Sequence, residues 1–119
     1  MKKLILKGSP ISTNNCYYHA GRGVTFIKPK AKALKEDYTW QARSQWKNKP
    51  LKGDVEIILN IYFGTKRGYD WDNFHKLSMD ALNGIVWEDD TQVQRATIEK
   101  RYDKANPRIE VEVYDLSTD

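Results

Sequence analysis

Asp54-Val55-Glu56-Ile57-Ile58-Leu59-Asn60-Ile61-Tyr62-Phe63 is the stretch whose reading decides the fold. Val55, Ile57, Leu59, Ile61 and Phe63 alternate, and successive side chains of a strand point to opposite faces, so this is a strand with one fully apolar face. Downstream, Gly64-Thr65-Lys66-Arg67-Gly68 makes a basic turn. Phe74, Leu77, Ala81 and Leu82 then recur at helical spacing, with Asp72 placed to cap the helix and Gly84 to stop it. Two more strands are expected, over about 92–102 and 109–114, the second turning Ile109, Val111 and Val113 inward after a turn near Asn106-Pro107. Upstream, residues 30–46 are free of Gly and Pro, and Leu34, Tyr38 and Ala42 recur every fourth residue, which predicts a helix with one apolar stripe. Residues 2–8 read as a short strand that Gly8-Ser9-Pro10 breaks into a polar surface loop containing Ser12, Asn14 and Asn15. Gly21-Arg22-Gly23 separates Cys16-Tyr17-Tyr18 from Val24-Thr25-Phe26-Ile27 as in a hairpin. The expected fold is α/β (α+β), a single domain over 1–119 built on a small mixed β-sheet with two main helices.

A chain of 119 residues holds one core. A hydrophobic fraction of 39% with 30% charged residues gives a folded domain with much solvated surface, and pairing with a second copy adds the burial such a small core lacks. A homodimer is therefore expected. The single cysteine, Cys16, forms no internal disulfide, no apolar run reaches membrane-spanning length, and only three apolar residues follow the basic start, too few for a signal. The expectation is a cytoplasmic protein without membrane contact. Charge is unevenly spread: residues 1–67 carry a net +10 and residues 68–119 a net −6, within an overall +4. One half suits a polyanion and the other a cation.

The chemistry concentrates in Asp70-Trp71-Asp72-Asn73-Phe74-His75-Lys76. In extended backbone the Asp70 and Asp72 carboxylates, two residues apart, face the same side. Two adjacent anions repel unless a proton or cation sits between them, and such oxygen ligands suit Mg²⁺ or Mn²⁺. The ordinary alternative is that Asp72 caps a helix and Asp70 belongs to the turn. Glu88-Asp89-Asp90 shifts the balance, because a third acidic run follows the Gly84 stop and could return beside the helix start. Lys76 and Asp80 continue the polar stripe at intervals of four; Lys76 either pairs with Asp72 and Asp80 or contacts a scissile phosphate. Asn73 either caps the helix or hydrogen-bonds a metal ligand. His75 reads as a surface residue, and Trp71 and Trp87 as packing residues before base-stacking ones. Lys28, Lys30, Lys32 and Lys35, as a basic arm, with Lys66 and Arg67 just before the acids, are candidate phosphate contacts. There is no Ser-His-Asp arrangement, phosphate-cradling glycine loop, cysteine nucleophile or zinc spacing, and no organic cofactor is expected.

Taken together, Asp70-Trp71-Asp72-Asn73-Phe74-His75-Lys76, Asp80-Ala81-Leu82-Asn83-Gly84 and Asp89-Asp90-Thr91-Gln92-Val93 resemble the RusA family of Holliday junction resolvases, common in bacteria and their prophages. Gly8-Ser9-Pro10-Ile11-Ser12-Thr13-Asn14 and Lys35 are weaker echoes of the family's opening loop and first helix. The resemblance implies a homodimer that binds branched DNA, a four-way junction, and cuts two symmetry-related strands with Mg²⁺, one or two ions per site. Carried over by position, Asp70, Asp72 and Asp90 are the metal-binding acids and Lys76 the essential lysine. Asp90 is favoured over Asp89 as the second member of the pair, and Asp80 and Asp89 support the site. Tyr69 departs from the family, where proline often precedes the first Asp, and the connection from Leu82 to Asp89 is short. The competing readings are a metal-dependent nuclease acting on other branched or duplex DNA, and a junction-binding protein that does not cut.

Overall fold

The computed structural model describes residues 1–117. Along the chain lie β1 (Lys2–Lys7), α1 (Thr13–Cys16), β2 (Tyr17–His19), β3 (Thr25–Ile27), α2 (Pro29–Gln45), β4 (Val55–Phe63), α3 (Lys76–Leu82), β5 (Val93–Tyr102) and β6 (Arg108–Asp115), with a 3₁₀ turn at Asp90–Gln92. β1, β6, β4 and β5 form one sheet in that order, while β2 and β3 pair as a separate hairpin. β4 sits between antiparallel β6 and parallel β5, so the chain needs a crossover from β4 to β5, and α3 supplies it.

The alternation that marks β4 sets the register of its neighbours. Leu4, Val111 and Leu59 lie abreast across three strands, as do Leu6, Ile109 and Ile61, and all six are buried. Burying each such side chain contributes about 1.5–3 kcal/mol, and a one-residue slip would turn the whole set toward solvent. Helix α2 covers this face with Ala31, Tyr38 and Ala42, Leu34 being only partly buried. It also closes the β1 edge. The Ile5 N–H donates to Gln45 Oε1 (2.7 Å) and Gln45 Nε2 donates back to the Ile5 carbonyl (2.8 Å), while Gln41 does the same for Lys7 (2.6 and 2.9 Å). Two glutamines one helical turn apart thus satisfy the free edge of β1. On the opposite face, Glu110 is buried between Lys3 (2.7 Å) and Arg108 (2.8 Å), and Arg108 lies over the Tyr62 ring at 3.7 Å.

Two local expectations change, and the packing reading of Trp87 holds. The short helix α1 stands where a polar loop was expected. The helix after the acids starts at Lys76, with His75 rather than Asp72 at its cap and no side-chain cap bond. Trp87 is fully buried and donates Nε1–H to Asn83 Oδ1 (2.7 Å), pinning the turn after α3, so it cannot stack on a base. Gly84 does stop the helix, at φ +80, in the left-handed region that glycine enters at least cost.

Candidate active site

Asp70 follows the end of β4, and an aromatic clasp fixes where it stands. The Tyr69 ring stacks on Phe63 at 4.0 Å and 10°, and Phe74 meets both edge-on at 4.9 and 5.2 Å. Tyr69 is further held by a 2.6 Å hydrogen bond between its hydroxyl and Thr65 Oγ1, and by Lys100 Nζ donating to its carbonyl at 2.8 Å. The tyrosine at the position where the family often has proline therefore anchors the loop by packing. Between Tyr69 and Phe74 the chain makes a turn, with the Asn73 N–H donating to the Asp70 carbonyl at 3.4 Å, so Asp70 and Asp72 do not stand in extended backbone. Burial of Phe74 pulls the chain inward and delays the helix to Lys76, which is why Asp72 is not its cap. Asn73 acts through its backbone: its carbonyl accepts from Thr13 N–H (2.7 Å) and Thr13 Oγ1 (3.2 Å), tying the acidic loop to the start of α1. His75 is half-buried, and its Nδ1 is enclosed without a hydrogen-bond partner among the described residues.

Asp70 and Asp72 are exposed, and no hydrogen bond or ion pair occupies either carboxylate among the described residues. Asp70 borders a cleft of about 600 Å³ whose other walls include Ser12, Asn15, Lys30, Arg67 and Asn73. The two cations are 37 positions apart in sequence and converge beside the acid. Arg67 also lies 5.7 Å over the Tyr69 ring. Of the remaining candidate contacts, Lys28 precedes α2, Lys66 lies 4.9 Å over the Tyr102 ring, and Lys32 and Lys35 border a separate groove with Trp40 and Arg43.

Lys76 opens α3. Its ammonium is 3.4 and 3.5 Å from the two Asp80 oxygens, the expected i,i+4 pair, with about half of the lysine side chain exposed. Asp80 is itself held by Tyr17, 63 positions away, whose hydroxyl donates to Oδ2 at 2.8 Å. Burial, then this hydrogen bond, pushes the Tyr17 hydroxyl well above the ordinary tyrosine range, so it stays protonated and donates. No local sequence signal marks Tyr17.

The Asp89-Asp90 pair divides its labour. Asp89 caps the 3₁₀ turn: Oδ2 accepts from Thr91 Oγ1 (2.7 Å) and Thr91 N–H (3.4 Å), while Gln92 Oε1 accepts from the Asp89 N–H (2.9 Å). The Thr91 side chain, then its backbone, holds the Asp89 carboxyl below the usual aspartate range. Gln92 Nε2 also donates to the Leu51 and Gly53 carbonyls (2.8 Å each), fixing the turn to the chain entering β4. The half-buried Asp90 carboxylate makes no such bond among the described residues.

Position along the sheet separates the acids. Val93 of β5 is level with Val55 at the start of β4, and Tyr102 with Phe63 at its end. Asp90 precedes the first pair and Asp70 follows the second. A nine-residue strand spans about 26 Å at roughly 3.3 Å per step, so the acids lie at opposite ends of the β4–α3–β5 unit. Accordingly, among the described residues no three His, Cys, Asp or Glu side chains come together as a metal site. One chain offers Asp70 and Asp72, and the third acid does not return to them within it.

The described residues thus form an α/β protein with a mixed sheet and an exposed acidic turn beside a basic cleft. Residues 7–114 match the family model described as Endodeoxyribonuclease RusA, and the chain belongs to that family. It is 27% identical over 108 residues, 90% of each chain, to the crossover junction endodeoxyribonuclease RusA of Shigella sonnei and to that of Enterobacteria phage 82. The protein of the same name from Escherichia coli K12 is 25% identical over the same share. No helix among the described residues is long and apolar enough to cross a membrane.

Proposed function

We propose that this chain is a Mg²⁺-dependent crossover junction endodeoxyribonuclease that binds four-way DNA junctions as a homodimer and cuts two symmetry-related strands. The observation that carries this reading is the pair of unneutralised carboxylates, Asp70 and Asp72, held by an aromatic clasp beside a basic cleft in a chain of the RusA family.

The donor set fits a hard cation in kind, since carboxylate oxygens that no protein cation occupies are what Mg²⁺ takes. It fits in number only across two copies. With Asp90 at the far end of the β4–α3–β5 unit, a twofold axis that brings the Asp90 of one copy to the Asp70 and Asp72 of the other completes three carboxylates, twice per dimer. A divalent cation held there supplies a Lewis acid and a water of lowered pKa. Lys30 and Arg67 bind the backbone on the basic wall of the cleft and present a phosphate to Asp70. Lys76, exposed and oriented by Asp80, places its ammonium against the charge that develops on the phosphate. Two such sites related by a twofold axis match the near-symmetry of a junction and yield paired cuts.

The test is cleavage of a synthetic four-way junction by purified protein with Mg²⁺ or EDTA. The wild type is expected to cut in Mg²⁺ alone, and Asp70→Asn to bind the junction without cutting it. Full cleavage by Asp70→Asn would refute the site, and equal cleavage of linear duplex would refute the junction reading.

A further inference from the structure

The indole of Trp40 is 75% exposed, more than any other large apolar side chain among the described residues, whereas Trp46 and Trp87 are buried. No aromatic ring and no cation lies over it among those residues. Tryptophan is a middling helix former, so the demands of α2 itself do not call for one on its solvent side. Beside the indole runs a groove of about 460 Å³, lined by Ile27 at the end of β3 and, along α2, by Lys32, Lys35 and Arg43. Glu36 is the one acid in this lining, and none of the three cations is ion-paired with it or with any other carboxylate among the described residues. The groove is therefore cationic and aromatic at once. From Lys32 to Arg43 the helix rises about 16 Å at roughly 1.5 Å per residue, longer than a single nucleotide. Lys30, which borders the Asp70 cleft, is two positions from Lys32 and so roughly 200° away around the helix, which sets the groove on a different flank of α2 from the cleft.

We propose that this groove is a second DNA site, one for unpaired strand: a base stacks on the Trp40 indole while the phosphates on either side of it meet Lys32, Lys35 and Arg43. Backbone charge supplies attraction without sequence preference, and the indole accepts any base because every base has a π face. The same chemistry disfavours duplex, whose bases are already stacked on one another and offer no free face. It also separates nucleic acid from an acidic peptide, which satisfies the cations but leaves the indole uncovered. The site lies outside the cleavage cleft, and its ligand goes beyond the four-way junction proposed above. In a branched substrate it holds a single-stranded stretch beside the paired arms.

Fluorescence titration of the full chain with a short oligothymidylate tests this. It is run in EDTA, so that the result does not depend on whether the protein cuts junctions. Trp71→Phe removes the other exposed indole, and in that background the oligothymidylate is expected to quench the tryptophan emission. Duplex of the same length and polyglutamate are expected to leave it unchanged. Trp40→Ala, read by the anisotropy of labelled oligothymidylate, is expected to weaken binding about 10-fold or more, and Trp40→Phe to keep it within about 3-fold, because a phenyl ring still stacks. Replacing Lys32, Lys35 and Arg43 together by Gln is expected to reduce the slope of log affinity against log salt by about 2, at roughly 0.7 per single-strand phosphate contact. Quenching by duplex or polyglutamate as strong as by oligothymidylate, or unchanged affinity in Trp40→Ala, overturns the stacking site. An unchanged salt slope in the triple variant overturns the phosphate contacts. Loss of junction cleavage with oligothymidylate quenching intact refutes neither, since the cleavage site is the other cleft.

Discussion

Lys76 shows how much one side chain's chemistry depends on residues far away in sequence. Its pairing with Asp80 is legible from the four-residue interval alone. The hydroxyl that steadies Asp80 comes from Tyr17, on a hairpin outside the main sheet, and no periodicity could have joined positions 63 apart. Lys76→Ala is expected to lower the single-turnover cleavage rate about 10²–10³-fold with junction affinity kept within a few-fold, as for other groups that act on charge developing in the transition state. Tyr17→Phe removes one oxygen and should lower the same rate about 5–10-fold, acting through Asp80, and should have no further effect when combined with Asp80→Asn. Rates equal to wild type, or effects that multiply in the double variant, would place Tyr17 outside the site.

At the scale of elements, the strand alternation and the long helix could be read directly, because a face buried all along its length forces a period on the sequence. β4 and α2 start within one residue of where the pattern puts them. The acidic loop could not be read this way. Its shape is set by Phe63, Tyr69 and Phe74 meeting in space, and aromatic packing of that kind displaced the helix start from Asp72 to Lys76. The Asp89-Asp90 pair was ambiguous for a related reason: adjacent identical residues carry no pattern, and only the Gln92 capping box tells them apart. Asp89→Ala is therefore expected to lower the melting temperature and leave Mg²⁺-dependent cleavage in place, whereas Asp90→Asn should keep the melting temperature and abolish cleavage. The reverse outcome would exchange their roles.

On the outer face of the sheet, Glu110 is expected to make the fold sensitive to acid. Burial alone would raise the Glu110 pKa, but hydrogen bonds from Lys3 and Arg108 outweigh it and hold the carboxyl below the ordinary glutamate range. A group whose folded-state pKa is depressed contributes its stability above the unfolded value, about 4.3, and loses it as pH falls through the folded value. Melting temperature should accordingly drop on acidification below about pH 4, and Glu110→Gln should lower it at neutral pH while flattening that acid limb. An unchanged acid limb in Glu110→Gln would move the sensitivity elsewhere, with Asp103, which Arg108 also holds low, the next residue to change.

At the scale of the whole molecule, the charge division along the chain translates into a cleft. The basic first half reaches the acidic turn through both Lys30 of α2 and Arg67 of the loop after β4. What the linear order of the motifs hides is that Asp90 and Asp70 stand at opposite ends of a parallel strand pair, since sequence proximity across a β–α–β crossover is not spatial proximity. Three acids within 21 positions look like one site in the sequence, whereas in the folded chain they stand at two ends of one strand pair, which is why the proposed function needs a second copy. Subunit mixing tests this most directly. Asp70→Asn and Asp90→Asn, each inactive alone, are combined in equal amounts, allowed to exchange subunits, and assayed on a four-way junction with Mg²⁺. If each site draws Asp70 from one copy and Asp90 from the other, half of the dimers regain one intact site of two. Cleavage should then return to about a quarter of wild type, as single nicks instead of paired cuts. A mixture that exchanges subunits yet remains as inactive as its components would contradict the shared site.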